Sequence, residues 1–399
     1  MPARADAAAV PLSRLVRRAC IVVLVAYGVW IVASGARFSP DSQTYARWAD
    51  TLIAMRFNVF AYLREQTFVV PPVFYILWTF VIAVLKSTLG AAWPWGVLFL
   101  NWLSIGWGSY VTLDRVRHLT TSAAGILLGV MLLLTAFDLL MFTPFVLSDL
   151  MFWAVSTTVI GLAVRLSSDD EEPRLTTVLT GTALTLVALA FRPVGIPLLV
   201  IWGLAVVTAP WQAVLDRFGS LVLAAVSAGA IAVVVLHAYL LMHPDQWPGT
   251  TPPFLALLSD EYHRGVLVYA PGSDFVVPAA TTVPAAARLT LQKLLYFLTP
   301  WLPHFSTSHT LLNLIFFVPA YGLSAIAIAK RHGLSPAQRR ATILLASYVI
   351  ALSVFHAMMQ IEFDHRYRLP MLPVLIMLSA AGLEAARRPE MPVTTGRTK

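Results

Sequence analysis

An aspartate stands in the short polar segment Phe38-Ser39-Pro40-Asp41-Ser42-Gln43-Thr44-Tyr45, just after the first long apolar run. A carboxylate at the mouth of a helical bundle can take the proton of an incoming hydroxyl, provided the two come within hydrogen-bond reach. The same residues have a plainer reading. Pro40 stops one helix, and Asp41 with Ser42 caps the next, expected over Gln43 to Ala54. Tyr45, Trp48 and Leu52 recur at three- and four-residue spacing, so that helix has one apolar and aromatic face. On pattern alone the cap is the stronger of the two readings.

Near the C-terminus runs Gln360-Ile361-Glu362-Phe363-Asp364-His365-Arg366-Tyr367-Arg368-Leu369-Pro370, a charged stretch between two apolar ones. Pro370 biases Leu369 toward extended backbone. If that geometry reaches back to Arg366, the period of two points Arg366 and Arg368 the same way. Two adjacent guanidinium groups suit a phosphate, because each offers parallel donors to an oxyanion. The plain alternative is a solvated loop. Arg192 lies in the tight hairpin Phe191-Arg192-Pro193-Val194-Gly195, where it can turn the chain, pair with Asp149 or meet a phosphate. Asp149 is expected about one turn inside an apolar span, with Asp138 at the end of the span before it. Ionisable groups at such depths are costly and are usually paired or functional.

The elements that must position these residues are set by composition. The 399 residues are 58% hydrophobic and 12% charged, with mean hydropathy +0.75. A soluble domain carries roughly 25% charged residues, so this chain has the bilayer as its solvent. The net charge of +8 does not indicate nucleic acid, because Lys and Arg fall in short clusters between apolar runs. One cysteine, Cys20, excludes an intrachain disulfide and a cysteine-based metal site. Arg14, Arg17 and Arg18 precede an apolar run that reads as an uncleaved first span.

Ten spans are expected in a single all-α domain over 1–399: 19–36, 95–113, 121–137, 145–164, 175–191, 194–210, 219–242, 310–329, 341–358 and 369–386. The stretch 69–86 opens on Pro71-Pro72 and is short for a span. If it is re-entrant or interfacial, every basic cluster falls on the inner face with both termini. The segment 37–94 then becomes a first external loop with interfacial helices, and 243–309 a large external loop. That loop holds His243, Asp245, Tyr262, His263, Arg264, His304 and His309, whose spacing fits no compact metal motif. Within it, Leu289 to Trp301 reads as a surface helix lying over the polar groups.

Four elements in this order resemble the GT-C superfamily of integral-membrane glycosyltransferases, specifically the bacterial protein-mannosyltransferase and aminoarabinose-transferase group. They are Pro40-Asp41-Ser42 with Tyr45, Pro71-Pro72-Val73-Phe74-Tyr75, Arg192-Pro193-Val194-Gly195, and Arg366-Tyr367-Arg368-Leu369-Pro370. The resemblance implies a sugar carried on a polyprenyl phosphate, entering from the lipid bilayer of a bacterial inner (plasma) membrane. It implies transfer with inversion to a hydroxyl of a glycan, lipid or protein acceptor on the external face. Asp41 becomes the general base. Arg366, Arg368 and Arg192 become ligands of the donor phosphate. Asp149, Asp138, Tyr45 and His365 become acceptor or supporting residues, with Asp149 able to orient the acceptor or hold a divalent cation. Room for a sugar requires on the order of 10 Å between Asp41 and the arginine pair, whereas an ion pair closes at about 4 Å or less. A direct ion pair would leave the glycosyltransferase reading on the resemblance alone. The rivals are a lipid or polysaccharide-precursor transporter or flippase, and a lipid-linked glycan polymerase or ligase. Transporters commonly show internal repeats and polar groups near the midplane, and this chain shows neither clearly.

Overall fold

In a bilayer every backbone polar group must be satisfied within the protein, and the long apolar runs of this sequence meet that demand as helices. The computed structural model describes residues 6–65, 75–168, 175–208, 219–229, 282–302, 305–358 and 365–388. Helix accounts for 89% of it with no strand, which makes the described chain all-α. In chain order the helices are α1 (Asp6–Ser34), α2 (Pro40–Ala54), α3 (Val59–Glu65), α4 (Ile76–Leu89), α5 (Trp93–Leu119), α6 (Ala123–Thr135), α7 (Phe137–Phe142) and α8 (Asp149–Ser168). There follow α9 (Leu175–Phe191), α10 (Ile196–Thr208), α11 (Gly219–Gly229), α12 (Val283–Leu298), α13 (Thr307–Ala329), α14 (Pro336–Met358) and α15 (Leu372–Arg387).

Among the described residues, six helical stretches are long and apolar enough to cross a membrane: 12–34, 76–119, 149–167, 307–329, 336–357 and 366–387. Shorter apolar helices cover 123–135, 175–191, 193–208 and 219–229, so the chain is an integral membrane protein. Of the expected span 219–242, the part beyond 229 lies outside the described residues, as do Pro71-Pro72 and most of 243–309.

Close helix approach comes from small residues, as expected where lipid offers no hydrophobic drive for association. Gly106 of α5 receives Leu24 of α1, Gly108 lies under the Trp153 ring of α8, and Gly382 of α15 abuts the backbone carbonyl of Leu323 in α13. Side chains then tie helices to distant backbone. Tyr27 Oη donates to Leu133 O at 2.9 Å, and Trp102 Nε1 to Leu24 O at 2.9 Å. The buried Asn101 donates from Nδ2 to the carbonyls of Thr143 and Phe145, both at 3.0 Å, fixing the link between α7 and α8.

The basic clusters gather at one end of the bundle. Gln338 Nε2 donates to Leu119 O at 3.1 Å, Arg340 Nε to Ser167 O at 2.6 Å, and Arg387 Nη1 to Ser122 Oγ at 2.5 Å. Arg331 reaches Ser220, and Arg388 reaches Gly333 O at 3.3 Å. At the opposite end, Arg37 bridges to Phe145, and Trp30 Nε1 donates to Leu140 O at 2.8 Å. The segment 76–89 lies at that end too. Its neighbour Tyr75 packs on the Tyr45 ring at 5.5 Å, Lys86 donates to Ala46 O at 3.2 Å, and Trp93 beyond it meets Phe38 at 5.8 Å. Both ends of α4 therefore rest on α2. Gly90 makes the turn with φ +53°, a conformation that disfavours any side chain.

Candidate functional site

Helix α2 begins three residues earlier than the sequence suggested. Ser39, not Asp41 or Ser42, is the cap: its Oγ accepts from Ser42 N at 3.2 Å, and Ser42 Oγ accepts from Ser39 N at 3.0 Å. Pro40 opens the helix at its first position, where a missing N–H costs nothing. This reciprocal box satisfies the helix start and leaves Asp41 without a capping task. Its carboxylate instead pairs with Arg366, Nη1 to Oδ2 at 2.6 Å, with Asp41 43% exposed and Arg366 9%.

The expected extended segment at 366–370 is a 3₁₀ helix, His365–Met371. At three residues per turn, positions i and i+2 point about 120° apart rather than together. Arg366 and Arg368 consequently address different carboxylates and form no joint clamp. The expected gap of a sugar's width between Asp41 and the pair is replaced by direct contact at Arg366. The side chain of His365 lies outside what the structure describes.

Two ion pairs meet around Tyr367. Arg366 sits 5.2 Å from the Tyr367 ring and donates from Nη2 to its Oη at 3.2 Å. Arg192, from the hairpin between α9 and α10, lies 5.2 Å from the same ring and pairs with Asp149. Asp149 is the first residue of α8 rather than one turn inside a span. Arg192 and Asp149 are almost wholly buried. Burial pulls the Arg192 guanidinium down, but the Asp149 carboxylate together with Tyr367 and Tyr75 holds Arg192 above its ordinary value.

Asp41, Tyr45 and Trp48 follow one face of α2. Tyr45, Trp48 and Tyr75 form an aromatic wall with ring centroids 5.5–6.1 Å apart. Burial pushes the Tyr45 phenol well above its ordinary range, with smaller effects from Tyr75, Arg192, Asp41 and Arg366. Burial also raises Tyr75, which feels Arg192, Arg366, Asp41 and Asp149. Tyr75 thus lies within electrostatic reach of both ion pairs.

A second centre holds Arg368 and Asp138, each 1% exposed, with Nε–Oδ2 at 3.2 Å. Asp138 does not end a span: α6 stops at Thr135, and Asp138 falls in the first turn of the short α7. Arg368 also donates to Thr299 O at 2.8 Å and lies 4.7 Å from the Phe317 ring. His309 Nε2 stands 3.9 Å from Asp138, its ring stacked on Phe137 at 4.0 Å and on Phe305 at 3.6 Å. Arg368 therefore docks the connection after α12 onto this end of the bundle. The helix expected over Leu289 to Trp301 is present as α12, starting at Val283.

Among the described residues no group of three His, Cys, Asp or Glu side chains gathers as a metal site. A divalent cation at Asp149 or Asp138 would have to displace a guanidinium. Sequence reasoning missed His309 as part of the Asp138 centre and gave Tyr367 no role of its own. The only trace of either was an aromatic or imidazole neighbour to a charge, which is common at membrane interfaces. No protein-family model, no curated protein and no solved structure matches this chain. The site stands on its own geometry.

Proposed function

We propose that the chain is a membrane glycosyltransferase that moves a sugar from a polyprenyl phosphate to an acceptor hydroxyl, with inversion, using Asp41 as general base. Because Asp41 pairs directly with Arg366, the glycosyltransferase class rests on the GT-C resemblance, and the observation that supports Asp41 as its base is the position of that carboxylate. It is relieved of capping by Ser39, remains 43% exposed, and lies on the helix face that carries Tyr45 and Trp48. One carboxylate oxygen is engaged by Arg366, and an acceptor hydroxyl can approach the exposed remainder. That hydroxyl oxygen attacks the anomeric carbon as its proton passes to Asp41. The bond from that carbon to the phosphate oxygen breaks, and the lipid phosphate leaves with the negative charge.

With no arginine clamp at 366 and 368, the identity of the donor rests on the GT-C resemblance. The direct Asp41–Arg366 pair leaves no gap for a sugar, so a donor-phosphate role for Arg366 comes from the resemblance alone. Arg192 shares the Tyr367 ring with Arg366. Arg368 is reassigned to holding Asp138 and Thr299. By the positive-inside rule the basic end is cytoplasmic and the site external.

Turnover with a radiolabelled polyprenyl-phosphate sugar in proteoliposomes tests the proposal. Transfer that is lost in Asp41→Asn while the protein stays folded supports it. Movement of the lipid between leaflets with no sugar transferred identifies a flippase instead.

A further inference from the structure

An open groove of about 460 Å³ lies between α1 and α5, lined by Leu24, Trp102, Leu103, Gly106, Trp107 and Tyr110. Its size is that of a small-molecule site. Gly106 lets Leu24 settle against the α5 backbone, where any side chain would collide with it. Both indole N–H groups of the wall are engaged inside the protein. Trp102 Nε1 donates to Leu24 O at 2.9 Å, and Trp107 Nε1 donates to Thr158 Oγ1 at 2.8 Å. The two rings are thereby fixed and offer no free N–H, so the groove suits a hydrocarbon chain rather than a polar ligand.

One end of the groove is basic. Arg17 stands seven residues before Leu24, which is two turns and roughly 10 Å along the same face of α1. Arg14 lies one turn further, with Arg18 beside them. All three are exposed, and no carboxylate among the described residues pairs with them. On α5, Asp114 comes one turn after Tyr110, but Arg115 and Arg117 both hold it. Arginines therefore outnumber carboxylates at this level, which the positive-inside rule makes the cytoplasmic surface. An occupant must carry an anionic head there and a hydrocarbon chain reaching into the bilayer. We infer that the α1–α5 groove binds an anionic phospholipid of the inner leaflet. Its phosphate meets Arg14, Arg17 and Arg18, and one acyl chain lies along Trp102, Leu103 and Trp107. This site is independent of the glycosyltransferase reading.

Lipid tails are as apolar as the groove, so seating the chain gives little preference for one lipid over another. The headgroup decides. Each arginine near the membrane surface raises the affinity of an anionic lipid by about 5-fold. Trp107 makes the site readable, because brominated acyl chains quench tryptophan on contact. The full chain is reconstituted in phosphatidylcholine vesicles containing increasing fractions of brominated phosphatidylglycerol or brominated phosphatidylcholine. Wild type should be quenched by the anionic lipid at a roughly 10-fold lower fraction. Arg14→Gln and Arg17→Gln should each reduce that preference by about 5-fold, and each leaves two arginines to hold the orientation of α1. Lys330→Gln removes an exposed cation beyond α13 and should leave the preference unchanged. Trp107→Phe should remove the quenching that is selective for phosphatidylglycerol.

Equal quenching of wild type by the two lipids overturns the inference. So does a preference that both arginine variants retain, or one that Lys330→Gln abolishes, since either means that the anionic lipid is not held at α1. A preference that survives Trp107→Phe puts the lipid elsewhere on the surface and overturns the groove assignment. If Trp107→Phe alters quenching by neither lipid, another protein segment covers the groove, and the lipid site is overturned.

Discussion

Replacing Arg192 with Met removes one half of an ion pair that water scarcely reaches: Arg192 is 2% exposed and Asp149 3%. The change keeps an unbranched side chain of similar length, so packing against Tyr367 is largely retained and the lost charge dominates. A buried carboxylate deprived of its counter-ion destabilises a fold by about 3–5 kcal/mol. Against a total stability of about 5–15 kcal/mol, that is roughly a fifth or more. Removing both charges, as Arg192→Met with Asp149→Leu, leaves no orphaned ion, and apolar replacement of buried pairs is commonly neutral or stabilising by about 1–4 kcal/mol. The double variant should therefore be more stable than either single variant, with a coupling of about 3 kcal/mol or more. Reversible unfolding of all four proteins in mixed micelles, followed by tryptophan fluorescence, measures the cycle. Single losses that simply add in the double variant would show that Arg192 and Asp149 do not act as a pair, and the electrostatic account of the site would fall with them.

Ser39 and Asp41 should divide stability from activity. Ser39→Ala loses the cap and about 1 kcal/mol of stability, whereas Asp41→Asn should stay folded and lose at least ~10²-fold in turnover; melting curves and transfer assays on the two variants separate the roles. Gly382→Ala would place a Cβ 1.9 Å from the Leu323 carbonyl oxygen, forcing α13 and α15 apart. A loss of about 1–3 kcal/mol is expected, read as a lower Tm. Burial raises the Tyr45 phenol in the folded state, so folding retains a proton that the unfolded chain releases. That contribution is fully present below pH about 10 and is lost as pH rises beyond it. Tyr45→Phe should flatten the alkaline fall in Tm, and an unaltered profile would remove Tyr45 from the account.

Much of this molecule was legible because a bilayer imposes its demands residue by residue. Sparse charge and long apolar runs require helices. Basic clusters between those runs were enough to place Arg331, Arg340, Arg387 and Arg388 at one end and Asp41, Asp138, Asp149 and Arg192 at the other. The re-entrant reading of 69–86 followed from the same charge argument; within its described part, Tyr75 and Lys86 both contact α2. The pairing of Arg192 with Asp149 was one of three options the hairpin offered, and the fold selects it.

What local pattern could not supply was geometry that depends on partners far along the chain. Pro370 argued for extended backbone, yet 365–371 winds as a 3₁₀ helix, and that winding separates Arg366 from Arg368. The cap was misassigned because Ser39, Asp41 and Ser42 are all good capping types within four residues; which one caps depends on backbone angles that the preceding turn sets. Arg368 meets Asp138 across 230 residues, and no spacing rule records such a contact. Solvent, helices and the end at which polar groups collect could be read residue by residue, because hydropathy and charge act on each residue separately. Which carboxylate neutralises which guanidinium depended on the packed fold, because a charge buried away from water takes whichever counter-ion the helices bring within reach.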